Sequence, residues 1–280
     1  MIVYRTKNDL RLHLNAAGKS NKSIGLVPTM GALHSGHISL VKKAAGENDI
    51  TVVSIFVNPT QFNDASDLEN YPRTLDKDLE LLQSQDADVV FVPSVKEMYP
   101  VKETRTFDLG GLDKVMEGMH RKGHFNGVGQ IVSKLFETVQ PHRAYFGQKD
   151  FQQLVIVRRL VELLKMDIDI VACPIIREID GLAMSSRNVR LSREDRKNAS
   201  FIYITLQLAR QKSGSLTPAQ VKDWVKKQFD EQPLMQLEYF EIVEDKGLNS
   251  ISDWNEKVNK VGCLAVHLSG VRLIDNLFFD

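Results

Sequence analysis

Cysteine is nearly missing from this 280-residue chain. Cys173 and Cys263 are the only two, far apart and outside any Cys-x-x-Cys spacing, which argues against a disulfide framework or a cysteine zinc site. Net charge is missing too: Lys+Arg and Asp+Glu stand at 36 each, so no overall field draws the chain to nucleic acid or to an anionic membrane. No apolar run approaches the roughly 20 residues that span a bilayer. The polar stretch from Met1 to Leu10 lacks the apolar core of a signal peptide. No internal repeat or low-complexity tract stands out. These absences lead to the expectation of a cytoplasmic, reduced protein with neither nucleic acid nor membrane as partner. What remains is ordinary for a globular chain, 42% hydrophobic and 26% charged, and long enough for one large domain or two modest ones.

Short apolar runs alternate with helical patterns up to about residue 176. Strands are expected at 24–27, 51–57, 89–92, 144–146 and 168–172, with helices starting near His37, Leu75, Gly127 and Phe151. The last helix sets Leu154, Val157, Val161 and Leu164 at helical spacing. Continuously apolar strands between amphipathic helices indicate a parallel sheet covered on both faces. Beyond 177 the pattern changes. Ser192 with Asp195 reads as a capping box opening one long helix toward Ala209, and Thr217-Pro218 as a cap and first-turn proline of a second helix through Phe229. Strands at 237–243, 262–268 and 272–278 follow. The expected fold is therefore α/β: a Rossmann-like parallel-sheet domain over 1–176 and a smaller C-terminal α+β domain over 177–280.

Gly18-Lys19-Ser20 imitates the end of a Walker phosphate loop, but that motif needs a glycine where His13 sits, and no strand precedes it. Other nucleotide and metal signatures (GxGxxG, HExxH, an EF-hand loop) are absent as well. The informative segment is Pro28-Thr29-Met30-Gly31-Ala32-Leu33-His34-Ser35-Gly36-His37. It follows the first expected strand and enters a helix, where unbonded N–H groups and the helix dipole favour an anion. Gly31 and Gly36 let the backbone approach a ligand closely. The His-x-Gly-His spacing lets two imidazoles flank one phosphate and donate to charge building there.

Three further segments join it. Leu182-Ala183-Met184-Ser185-Ser186-Arg187-Asn188 sets two hydroxyls beside a guanidinium, a donor set suited to polyphosphate. Phe146-Gly147-Gln148-Lys149-Asp150-Phe151-Gln152-Gln153 lies at a strand-to-helix junction, with Lys149 as a point charge and Asp150 as a cap or ribose acceptor. Phe56-Val57-Asn58-Pro59-Thr60-Gln61-Phe62 is a turn that would project Gln61 from the carboxyl edge of the sheet. Each has a plain reading in isolation: surface histidines, a polar linker, a capped helix, an ordinary loop. Their joint placement argues for a site. Three of the four follow expected parallel strands, where open α/β sheets bind ligands, and the fourth sits at the expected domain junction.

The His-x-Gly-His turn and the Met-Ser-Ser-Arg loop together resemble the HIGH-like and KMSKS-like elements with which the nucleotidylyl-transferase superfamily holds ATP from opposite sides. Arg187 stands here for a lysine. A narrower resemblance, to the pantothenate synthetase (pantoate–β-alanine ligase) family, runs nearly end to end. It rests on the segments above together with Tyr71-Pro72-Arg73-Thr74, Glu97-Met98-Tyr99-Pro100, Gly123-His124-Phe125 and Arg272-Leu273-Ile274-Asp275-Asn276.

This resemblance implies a two-step ligase. Pantoate carboxylate attacks the α-phosphate of ATP, giving pantoyl adenylate and pyrophosphate, and β-alanine then displaces AMP. It implies Mg²⁺ with ATP and a cytoplasmic homodimer. Met30, Gly31, Ala32, Leu33, His34, Ser35, Gly36 and His37 would line the ATP site, with His34, His37 and Lys149 catalytic. Gly147, Gln148, Lys149 and Asp150 would hold ribose and phosphate, and Ile176 the adenine. Met184, Ser185, Ser186 and Arg187 would close over the triphosphate. Gln61 and Gln153 would bind pantoate. No direct metal ligand is assigned, and Asp78 is offered only for a water-mediated role. Lys122, His142 and Val271 depart from the residues usual in the family, and none is a proposed catalytic position. Two rival readings are a transferase that stops at the nucleotidyl product, which would need a cationic acceptor pocket where Gln61 and Gln153 stand, and a non-catalytic RNA-binding relative of a tRNA synthetase. Zero net charge and the lack of a basic helix count against the second.

Overall fold

Uninterrupted apolar runs need cover on both faces, and they form a parallel sheet clad by helices. The computed structural model describes residues 1–18 and 21–279; Lys19 and Ser20 of the Walker-like decoy lie outside the described residues. The chain divides into two compact units, Met1–Gln148 with Ile156–Pro174, and Lys149–Val155 with Ile175–Asp280. A single cut at 176 would leave Lys149–Val155 in the first domain, whereas by compactness this segment groups with the second.

The first unit contains β1 (Ile2–Tyr4), α1 (Lys7–Gly18), β2 (Ile24–Thr29), α2 (Ser35–Glu47), β3 (Ile50–Ile55), α3 (Ala65–Glu69), α4 (Leu75–Gln83), β4 (Val89–Phe91), α5 (Val95–Met98), α6 (Met116–His120), α7 (His124–Val139), β5 (Arg143–Gly147), the part of α8 (Phe151–Leu164) from Ile156 onward, and β6 (Asp169–Cys173). The strands pair in parallel in the order β1-β4-β3-β2-β5-β6. Val27, Val53 and Val90 from the sheet pack with Val41, Ala44 and Leu82 from the helices, all fully or almost fully buried. Tyr145 is buried with them, its hydroxyl donating to Glu47 and accepting from Asn48 Nδ2. Burial and the neighbouring Glu47 push that phenol up to about 12.

Several elements depart from the pattern read in sequence, β1, α1 and α7 among them. β1 is a three-residue edge strand with Ile2 and Val3 exposed, too short for alternation to show. α1 buries Leu10 and Leu14. α7 begins at His124, earlier than the expected start near Gly127. His142, one of the family departures, has a local use: its Nδ1 accepts the Ile24 amide at 2.9 Å, at the entrance to β2.

The second unit holds α9 (Arg193–Asn198), α10 (Phe201–Lys212), α11 (Pro218–Asp230) and an antiparallel meander of β7 (Met235–Glu244), β8 (Lys260–Leu268) and β9 (Val271–Phe278). Ile202, Leu206, Val221, Val225 and Phe229 cover one face of the meander through Leu264 and Val266. The single long helix expected from Ser192 is divided between α9 and α10. At the join the Ile202 amide reaches back only to Ala199, and the Ser200 hydroxyl bonds the Lys197 carbonyl, the local competition that makes serine poor in helix interiors. Ser192 does cap α9, accepting the Asp195 amide at 3.0 Å. The Asp195 carboxylate takes the Ser192 and Ser269 hydroxyls. Thr217 and Gln220 complete a reciprocal capping box on α11.

Candidate functional site

The strand order reverses beside β2. β2 pairs with β5 only at Gly25↔Arg143 and Leu26↔Ala144, so the two strands part toward their carboxyl ends, the place where open α/β sheets take ligands. The turn from Met30 to His37 emerges at that edge. Thr29 ties its base to β3, donating to the Ser54 carbonyl at 2.8 Å and accepting the Gly31 amide at 3.2 Å. Gly31 and Ala32 then adopt φ of +82° and +49°. A side chain at Gly31 would be strained by that φ and would press on Asp78 and Ile55 at 3.1 and 3.2 Å.

Asp78, buried on α4, holds this left-handed turn. Its Oδ2 accepts the Ala32 amide at 2.9 Å and its Oδ1 the Leu33 amide at 2.8 Å. Thr74 Oγ1 adds a third bond at 3.2 Å. The carboxylate offered above for a water-mediated metal role is thus engaged in shaping the histidine turn.

His34 is the N-cap of α2 and His37 its third residue, their ring centroids 4.1 Å apart. His34 Nδ1 accepts the Gly36 amide at 3.1 Å, and the same side chain meets the His37 amide; His37 Nδ1 accepts the His34 amide at 3.3 Å. The expectation of bare first-turn amides is corrected here, since the imidazole of His34 already meets those of Gly36 and His37. The chemistry moves to the rings. A neutral imidazole that accepts through Nδ1 carries its proton on Nε2, so both histidines are set as donors. Ser35 is exposed and Gly36 half-buried within the first turn.

Gln61 ends a 3₁₀ turn, Pro59–Gln61, and is buried. Its Nε2 lies 3.0 Å from Met30 Sδ, and its Oε1 accepts from Asn58 Nδ2 at 3.2 Å. Asn58 is fixed in turn by the Gly127 carbonyl at 3.0 Å and the Tyr99 hydroxyl at 2.7 Å. α7 crosses this turn so closely that a Cβ at Gly127 would lie 2.3 Å from the Thr60 carbonyl oxygen. A cavity of about 470 Å³ opens beside Met30, Gly31, Phe56, Pro59, Thr74 and Asp78.

Reasoning from sequence assigned no role to the group behind Gln61. His124 Nδ1 sits 2.7 Å from the Gln61 carbonyl oxygen. Arg121 Nη1 lies 3.2 Å from His124 Nε2 and 3.6 Å from the Glu117 carboxylate. Glu117 and His124 are buried, and burial of a charge that finds a partner is the signal that marks such residues. Only Gly-His-Phe was noticeable in sequence, because the partners converge from α6, α7 and the turn after β3.

Gly147 closes β5, where an added Cβ would meet open space, and Gln148 begins the 3₁₀ turn Gln148–Asp150. The remaining candidates lie in the second unit. Lys149 is half-buried, Asp150 exposed, and Gln153 half-buried on the first turn of α8. Ile176 and Met184 are joined across a hairpin by the Met184 amide and Ile176 carbonyl at 3.0 Å. Ser185 caps the 3₁₀ turn Ser186–Arg190, accepting the Arg187 amide at 3.2 Å, which leaves its hydroxyl proton able to donate. Asn188 Nδ2 pins this turn to the Ala183 carbonyl and the Glu178 carboxylate. Arg196 bridges Glu178 and Asp180. Burial raises the Glu178 pKa, but Arg196 and Asn188 outweigh it and hold the group below its ordinary value; Arg196 lowers that of Asp180 directly.

A covered parallel sheet with a reversal of strand order, and a donor-bearing histidine turn at its carboxyl edge, define a Rossmann-like α/β enzyme. The comparisons narrow this class. The family described as pantoate-beta-alanine ligase matches residues 2–278. A pantothenate synthetase from Bacteroides fragilis is 54% identical over 277 residues, covering 99% of this chain and 98% of its own. One from Porphyromonas gingivalis is 51% identical over 280 residues, with 100% of both chains covered. Among solved structures, the pantothenate synthetase of Thermus thermophilus superposes with a TM-score of 0.91 at 41% identity, over 99% of each chain. The pantoate-beta-alanine ligase of Francisella tularensis, complexed with beta-gamma ATP and beta-alanine, gives 0.82 at 36% identity, over 100% of this chain and 98% of that one. The chain belongs to the pantoate–β-alanine ligase family.

Proposed function

We propose that this enzyme condenses (R)-pantoate with β-alanine at the expense of ATP, through a pantoyl adenylate, with the residues named above in distinct roles. The observation that carries the role assignment is the pair of histidines accepting backbone amides through Nδ1. Protons held on Nε2 suit them to donate to an α-phosphate as the pantoate carboxylate attacks and pyrophosphate departs. Asp78 fixes the turn in advance, so little reorganisation is needed at the moment of reaction. Met30 through His37 line the ATP site, and Gly147 and Gln148 join the two residues after them in holding ribose and phosphate. Lys149 supplies a cation for phosphate, Asp150 an acceptor for ribose, and Ile176 an apolar face for adenine. Met184, Ser185, Ser186 and Arg187 contact the triphosphate.

Gln61 and Gln153 orient pantoate as neutral amides, which does not trap the nucleophilic carboxylate in a tight ion pair. The Gln61 side chain is already restrained by Asn58 and Met30, and Met30 also lines a cavity within the size range of small-molecule sites. Magnesium enters as part of the nucleotide substrate. The ion is then held chiefly by phosphate oxygens and water, the usual habit of Mg²⁺. A cytoplasmic homodimer is the working form that the family likeness favours, and sedimentation of the purified protein would test the dimer.

The decisive experiment is ATP–pyrophosphate isotope exchange with and without pantoate. Exchange that requires pantoate but not β-alanine establishes the adenylate step. Exchange without pantoate, or none until β-alanine is added, refutes it.

A further inference from the structure

Asp275 and Asn276 on β9 are each only 3% exposed although polar, and the chemistry above uses neither. Their contacts lead to two separate segments of the second unit. Asn276 Nδ2 donates to the Lys149 carbonyl oxygen at 2.9 Å. Asp275 receives the Arg177 guanidinium through both oxygens, Nη1 to Oδ2 at 2.6 Å and Nη2 to Oδ1 at 2.9 Å, and accepts the Asn276 backbone amide at 2.8 Å. Successive side chains of a strand point to opposite faces, so this dipeptide can serve two segments at once.

Arg177 extends the connection. It donates to the Gly181 carbonyl at 3.0 Å, and its guanidinium lies 3.7 Å from the centroid of the Tyr203 ring. Arg177 also bridges Ala183 across the hairpin, and the chain leaving that hairpin is Ser185-Ser186-Arg187. One corner of β9 therefore anchors the backbone of Lys149 and the base of the hydroxyl-bearing turn. A buried ion pair contributes little net stability over an apolar filling of the same volume; what it can supply is a single geometry.

We propose that Asp275 and Asn276 are positioning residues for the nucleotide. Asn276 sets the backbone of Lys149, and Asp275, acting through Arg177, sets the hairpin from which Ser185, Ser186 and Arg187 follow. This rests on the reading that Lys149 meets ATP phosphates.

The test is a double-mutant cycle on the full-length enzyme, read by pantoate-dependent ATP–pyrophosphate exchange in wild type, Asn276→Ala, Lys149→Ala and the double variant. In the wild-type background Asn276→Ala lowers kcat/KM for ATP about 10-fold or more, with KM for pantoate changed less than about twofold. In the Lys149→Ala background the same substitution costs less than about twofold, since the group it positions is gone. Equal losses in both backgrounds, or none in the wild-type background, overturn the proposal while leaving the role of Lys149 intact. A Lys149→Ala enzyme of near-normal activity removes both. If circular dichroism shows Asn276→Ala unfolded, the smaller change Asn276→Ser takes its place under the same criteria.

Discussion

The histidine turn of the first unit and the serine turn of the second are held in different ways. After β2, a single buried carboxylate, Asp78, takes two backbone amides, and the histidines complete the turn by capping each other's backbone. Around residues 176–190, by contrast, a cluster of partly exposed ion pairs reinforces the backbone bonds. Arg196 clamps Glu178 and Asp180, whose side chains remain 31% and 37% exposed. Bonds to backbone in a buried setting are short in reach and poorly screened, whereas partly exposed ion pairs are weak and yield to salt. The first turn is fixed in advance by buried bonds, and the second is held in part by contacts that adjust more readily.

The largest effect expected from this contrast is catalytic. His37→Ala should lower pantoate-dependent pyrophosphate exchange about 100-fold or more, the scale for losing one preorganised donor; a folded variant losing less than about tenfold would show that the ring does not serve the reaction. Next comes the carboxylate behind it. Asp78→Ala leaves the Ala32 and Leu33 amides without their acceptor and should reduce unfolding stability by on the order of 3 kcal/mol, with lost amide protection at those two residues. Unchanged protection there would mean that the turn holds itself.

Arg196→Ala should cost about 1 kcal/mol or less in denaturant unfolding, and raising salt to about 1 M should reproduce most of that loss in the wild type. The Ala32 and Leu33 amides should not respond to salt at all. Acid gives the smallest and most specific effect. Glu178 and Asp180 have folded pKa values depressed from 4.5 and 3.8, so their stabilisation is complete above those values and fades as the pH falls through the lowered ones. The difference in Tm between wild type and Arg196→Ala should therefore shrink below pH 4.5, and a constant difference would indicate that Arg196 acts through packing alone.

Much of this was legible beforehand. Strands β2, β3 and β4 are apolar without alternation, which only a doubly covered sheet accommodates, and Thr217-Pro218 announced α11 by its cap chemistry. The motif His-x-Gly-His could be located but not its bonding. That His34 occupies the amides expected for an anion depends on ring orientations, which residue spacing does not specify. The cluster of Glu117, Arg121 and His124 behind Gln61 was invisible for a different reason: its members lie far from Gln61 in the chain, and His124 meets it where α7 packs closely on the 3₁₀ turn after β3 at Gly127.

By itself the sequence determined the α/β class and the succession of most elements, because periodicity, caps and turn residues act over a few neighbours. Tertiary structure alone decided that Asp78 shapes a turn 45 residues away, that one helix becomes α9 and α10, and that Lys149 hangs from β9 through Asn276. Those outcomes depend on which buried polar groups find partners, and a buried donor or acceptor can find its partner anywhere in the chain that folding brings within about 3 Å.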